Sequence, residues 1–192
     1  ELVTAIAILG ILAGLAGYLM NTSSKTYTNL SVEAQLQSEA QVVANMITEL
    51  AIDSYDAKNT FAENIGAYAT DSGQILVLDS TLDSVKKQYV ICKNTTDNEL
   101  YMLERTYDTG SSSWGAFSEA LLGEYIVGFN VDTTRVEEEN ILQFTLSYNK
   151  NGKVYDGNYQ VLMRNRAYAD NEQKNKDPNS GAILSIAVEP TL

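Results

Sequence analysis

The chain predicts an α+β protein: a long N-terminal α-helix, apolar in its first half and amphipathic in its second, packed on the antiparallel β-sheet of a globular head. Three observations carry that prediction. Leu2 to Met20 contains no charged residue, and no glycine or proline interrupts the backbone between Gly17 and Gly66. From residue 74 onward, short β-branched and aromatic runs are separated by Asp, Asn, Thr and Gly, the pattern of strands joined by turns. The organisation expected is 1–20 as the apolar helix half, 21–55 as the amphipathic half and 56–192 as the β-rich head.

The first element is ELVTAIAILGILAGLAGYLM. At ~1.5 Å rise per residue its uncharged part is roughly 28 Å long, close to the hydrocarbon thickness of a bilayer. A cleavable secretory signal would offer small residues such as Ala13-Gly14-Leu15-Ala16, but it begins with a basic segment, whereas Glu1 stands here. The run is therefore expected to persist in the mature protein. Glu1 calls for a partner, because a carboxylate in a bilayer costs on the order of 3 kcal/mol. Gly10, Gly14 and Gly17, interleaved with Ala5, Ala7, Ala13 and Ala16, leave a face of little bulk that permits close helix–helix approach.

Residues 1–13, ELVTAIAILGILA, resemble the N-terminal helix of type IV pilins and type II secretion pseudopilins. In that superfamily Phe or Met and three mostly apolar residues precede the glutamate, so four such residues are expected upstream of Glu1. The resemblance implies a filament subunit without catalytic activity, its core built from Leu2, Val3, Ile6, Ile8, Leu9, Gly10, Leu12 and Gly14. It also implies that the Glu1 carboxylate pairs with the N-terminal amine of a neighbouring subunit; a buried carboxylate that meets an ammonium is far less costly than one left alone. The implied partners are identical or homologous pilin subunits, a prepilin peptidase and an inner-membrane assembly platform, with N-terminal methylation. The implied location is the cytoplasmic membrane before assembly and a cell-surface filament after it. Many relatives carry a proline about 17 positions after the glutamate, near which their helix melts in the fibre; Tyr18 stands here. The three glycines permit similar melting, each weakening a helix by ~1 kcal/mol relative to alanine.

The second helix half begins at Asn21-Thr22-Ser23-Ser24, whose side chains compete for backbone hydrogen bonds, so a kink or break is expected there. Beyond it Leu36, Ala40, Val43, Ile47 and Leu50 form an apolar stripe, with Glu33, Glu39, Gln41, Asn45 and Glu49 off it. The halves together predict one helix of about 50 residues and ~75 Å.

Asn59 to Gly73 reads as a connection with a short helix. Strands are expected at 74–78, 88–93, 99–107, 123–131, 141–148 and 154–164. Asn151-Gly152 lies where a two-residue hairpin loop requires positive φ. A second resemblance arises from EYIVGFNV, the acidic turn Glu137-Glu138-Glu139, ILQFTLSY and VLMRNRA: this layout is similar to J-type minor pseudopilins and minor pilins.

Composition narrows the chemistry. A formal charge of −12 repels nucleic acid and anionic headgroups. Cys92 is the sole cysteine, which excludes an intrachain disulfide and a cysteine-based zinc or iron–sulfur centre, and its apolar surroundings read as a buried small hydrophobe. No histidine is present, so the usual general base and the commonest metal ligand are missing. Most of the twelve tyrosines fall in strand patterns and read as sheet filling. Some pseudopilins hold calcium in head loops, and Asp170, Glu172 and Asp177 are the residues that would do so here. Their spacing lacks the alternating acids and central glycine of an EF-hand, and Lys174 and Lys176 oppose a cation, so a solvated loop is expected. No metal site and no cofactor is expected. The function expected is assembly of a pilus-like or pseudopilus filament; the alternative is a membrane-anchored extracellular binding or adhesion protein that does not polymerise.

Overall fold

A computed structural model describes residues 2–69, 71–82 and 85–165. One helix, α1, runs from Leu2 to Asp53 without interruption, roughly 78 Å at 1.5 Å per residue. The break expected at Asn21–Ser24 is absent. Instead the helix runs through it, and one turn on the Thr28 hydroxyl donates back to the Ser24 carbonyl at 3.0 Å.

Among the described residues nine strands and a one-turn helix follow: β1 Ser54–Lys58, β2 Ile75–Leu82, β3 Val85–Lys93, β4 Leu100–Asp108, β5 Ser113–Trp114, β6 Ser118–Gly123, β7 Ile126–Asp132, α2 Val136–Glu139, β8 Ile141–Lys150 and β9 Lys153–Leu162. They form two antiparallel sheets. The larger has the order β1-β2-β3-β4, with both β5 and β6 paired to β4; the smaller is β7-β8-β9. The fold is thus α+β, a long helix laid on antiparallel sheets.

The second half of α1 is the part that lies on them. Leu36, Ala40, Val43, Ala44, Ile47 and Ala51 are fully or almost fully buried against Leu76, Leu78 and Ile91 of the larger sheet and Leu142, Phe144, Leu146 and Tyr148 of the smaller. Ala51 closes the stripe where Leu50 was expected, and Leu50 is only half-buried. A repeat of 3.6 residues drifts away from a strict 4-3-4-3 spacing within two turns. At Gly123 the end of β6 comes so close to the helix that a Cβ would lie 2.8 Å from Val43 Cγ2.

Helix passes to strand without a loop, and the orphaned carbonyls at the end of α1 find side-chain donors. Ser54 Oγ donates to the Leu50 carbonyl at 2.6 Å. The Asp53 carbonyl accepts from Ser80 Oγ of β2 at 2.9 Å and from Asn165 Nδ2, beyond β9, at 3.0 Å. A residue of β2 and one just beyond β9 therefore hold the same helix terminus.

Strands β2 and β3 are buried on both faces, which explains their unbroken apolar runs. Ile75, Val77, Val90, Cys92 and Leu103 point away from α1 and are covered by Phe61, Ile65, Tyr68 and Phe117. The 59–73 connection supplies three of those four covers. It contains no helix among its described residues and is held by the Tyr68–Asn94 bridge and the bond from the Ala69 amide to the Lys93 carbonyl. The single strand expected over 123–131 is split: Gly123 ends β6, the chain turns at Glu124-Tyr125 with Tyr125 at φ 59°, and β7 starts a different sheet at Ile126. β8 and β9 form the expected hairpin, with Asn151 at φ 53° and Gly152 at φ 76°. The acidic run Glu137–Glu139 forms the single turn of α2, closed by an Arg135–Glu139 ion pair.

Candidate functional site

The feature that distinguishes this chain from an ordinary α+β domain is the bare half of α1. Ile6, Ile8, Leu9, Ile11, Leu12, Leu15, Tyr18, Leu19 and Met20 are all exposed, Leu9 by 66% and Leu15 by 54%. A soluble monomer rarely leaves so large a contiguous apolar surface uncovered. The helix is long and apolar enough to cross a membrane.

Helical geometry sorts these residues by side. At about 100° per residue, Ile8, Leu12, Leu15 and Leu19 share one side as a bulky aliphatic ridge. Gly10, Gly14 and Gly17 cluster on the opposite side, where a Cβ added to any of them would meet nothing within 4 Å. Ridge and bare stripe are thus back to back on one rod. The exposed apolar surface continues past Met20 to Tyr27 and Leu30, on the same side of the helix as Leu19. Tyr27 and Leu30 lie in the half expected to be amphipathic, between the apolar run and the stripe that begins at Leu36. The signal that locates them is their three-residue spacing inside an otherwise polar stretch.

Of the residues expected at the assembly surface, Leu2, Ile6, Ile8, Leu9, Gly10, Leu12 and Gly14 lie on this exposed helix. Val3 lies in its backbone, and Glu1 lies outside the described residues. The candidate calcium ligands Asp170, Glu172 and Asp177 also lie outside them. Among the described residues, no group of three or more Cys, Asp and Glu is arranged to hold a metal ion.

The head contains a polar constellation that sequence reasoning missed. Asp79, Gln88 and Arg105 are neighbours across β2, β3 and β4 and are almost fully buried. Gln88 Nε2 donates to Asp79 Oδ1 at 2.7 Å, and Arg105 Nε donates to Gln88 Oε1 at 2.8 Å. The guanidinium forks onto Glu63 with two bonds of 2.7 Å, and Lys58 closes the other end on Asp79 at 3.1 Å. Phe61, Trp114 and Phe117 surround Arg105, their ring centroids 4.6–5.5 Å from its guanidinium carbon. The Arg105 bonds hold the Glu63 carboxyl below the usual carboxylate range. This row pins the 59–73 connection to the sheet. Strand pairing brings Lys58, Asp79, Gln88 and Arg105 together and the connection carries Glu63 to them, so no linear motif announces the five. Nearby, Cys92 is fully buried, and that burial pushes its thiol up to about 12.

Comparison with protein-family models, with curated proteins and with solved structures finds no match to this chain.

Proposed function

We propose that the protein is a structural, non-catalytic subunit of a type IV pilus-like or pseudopilus filament at the cell surface, held in the cytoplasmic membrane before it assembles. The observation that carries this reading is the contrast along one helix: one face of it, from Leu36 to Ala51, is buried in the head, whereas the large apolar side chains of the half before it are exposed. Burying nine large apolar side chains, at ~1.5 kcal/mol each, releases on the order of 10 kcal/mol. Water is therefore not the environment of that half.

Lipid and a bundle of sister helices both satisfy the apolar demand. The bundle is favoured by two further features, the glycine stripe opposite the aliphatic ridge and the acid at the head of the run. The ridge of one rod can enter the bare stripe of the next, bringing the backbones within about 8 Å. Glu1 then meets the N-terminal amine of a neighbour, and the two charges neutralise each other in the apolar core. In this mechanism the membrane stores the rod, sister rods and homologous subunits replace lipid around it, and the heads form the sheath. A prepilin peptidase and an inner-membrane assembly platform are the partners this route requires.

The test is Glu1→Ala in the intact protein. Membrane insertion is expected to be unchanged while incorporation into fibres falls, as read by electron microscopy and fibre pelleting. Wild-type fibre yield from the variant rejects the pairing mechanism. Monodisperse particles from the wild-type protein after detergent removal, with no fibres, favour the anchored binding protein instead.

A further inference from the structure

Residues 60–66 cross the face of the larger sheet that points away from α1. Both ends of this stretch are tied through the backbone. At its entry the Gly73 amide donates to the Asn59 carbonyl at 3.0 Å, and at its exit the Thr95 amide and hydroxyl both donate to the Ala67 carbonyl at 2.9 Å. Between those ties, among the described residues, no backbone hydrogen bond joins 60–66 to another element. Gly66, at φ 75°, provides a bend next to the second tie that side-chain-bearing residues rarely adopt. The stretch is therefore held down by side chains: Phe61 and Ile65 lie on the apolar cluster around Val77, Val90 and Cys92, and the Glu63 carboxylate takes both prongs of the Arg105 fork.

We infer that residues 60–66 are an acid-released flap, with the Glu63–Arg105 pair as its catch and Cys92 among the side chains it covers. The two charges are unequally placed: the Arg105 side chain is 7% exposed and that of Glu63 is 54% exposed. The carboxyl can turn to water by itself, whereas the guanidinium cannot. While Glu63 is ionised, its charge answers the buried cation and the flap stays shut. Once Glu63 takes a proton, Gln88 offers the guanidinium only a neutral oxygen, and Asp79, the next acid along the row, is already bonded to Gln88 and Lys58. A buried cation stripped of its counter-charge is strongly disfavoured. Lifting the flap relieves it, because Phe61, one of the three rings around the guanidinium, leaves with the flap and admits water while every strand pair stays intact. The charges on the sheet side of Glu63 are Arg105 of β4 and, behind it in the row, Asp79 of β2 and Lys58 of β1. Arg105 holds the Glu63 carboxyl below the usual range, so the catch is complete above that range and is lost as pH falls through the lowered value.

The full chain in detergent tests the flap independently of whether fibres form. Glu63→Gln reproduces the shape of the protonated acid at neutral pH. Cys92 is labelled with a dithiodipyridine, a disulfide reagent that also reacts with thiols in acid, and the rate is divided by that of an unstructured thiol peptide at the same pH. At about pH 7 the variant is expected to react at least ~10-fold faster than the wild type, while hydrogen exchange in β8 and β9 is unchanged. On acidification to about pH 3 the wild type is expected to gain the same factor, and the variant, already open, to gain none. A wild-type rate in Glu63→Gln at neutral pH, or an acid gain as large in the variant as in the wild type, overturns the assignment. So does a variant in which β8 and β9 lose protection along with Cys92, because the flap is then no separate unit of the head.

Discussion

Gly14→Leu separates the two environments open to the bare helix half. In the isolated subunit the substitution is harmless, because a Cβ at Gly14 meets nothing within 4 Å. Leucine is a better helix former than glycine by ~0.8 kcal/mol, and the added side chain favours lipid. Insertion and head stability should therefore hold or improve. Between sister rods the same side chain occupies the space that close approach requires, and moves the axes from about 8 toward about 10 Å. Overfilled contacts of this kind cost ~1–3 kcal/mol, and ~1.4 kcal/mol is a factor of ten in an equilibrium constant. The critical concentration for fibre formation should rise about 5- to 150-fold, with a smaller rise for Gly14→Ala. Fibre pelleting against protein concentration measures it, and the denaturant midpoint of the head serves as the control. Polymerisation of Gly14→Leu at the wild-type critical concentration would refute the stripe as a contact between subunits.

Two predictions concern the head. Arg105→Met keeps the aromatic surroundings filled but strands Gln88 and loosens Glu63; the loss of buried hydrogen bonds should lower unfolding free energy by ~1–3 kcal/mol in a urea titration, and an unchanged midpoint would show that the row contributes nothing. Cys92, whose thiol burial raises from 9.0 to about 12, should resist alkylation at pH 8 except at the rate of global unfolding. Because its folded value is the higher one, its contribution to stability is complete below about pH 9 and declines as pH rises toward 12. A Cys92→Ala head that keeps the full alkaline decline would show that other groups cause it.

How much of this was legible beforehand follows from which interactions are local. The long helix, its apolar half and the buried stripe at Leu36, Ala40, Val43 and Ile47 could be read because helical period and side-chain polarity agree over many turns. The β8–β9 hairpin was legible because Asn151-Gly152 states its own backbone geometry. The strands that escaped notice were β1, β5 and β6, each short, at an edge, or carrying charges in place of an apolar run. The stretch around Gly123 misled for a different reason: β6 and β7 abut in sequence, and only tertiary contact with Val43 shows that they belong to different sheets. Arg105 and its partners come from elements up to 47 residues apart and meet through sheet register. At the candidate site the ridge and the glycine stripe follow from sequence once the helix is granted, whereas the outward extension to Tyr27 and Leu30 required the head's position to be known.

The shared grip on the Asp53 carbonyl has a mechanical consequence. Tension applied along the rod arrives at a knot where Ser80 of β2 and Asn165, just past β9, are tied to the same atom, so the load divides between the two. The side chains from Leu36 to Ala51 then resist in shear, all at once, like a splice in a rope. A head anchored in this way should part from its rod only by coming undone as a whole.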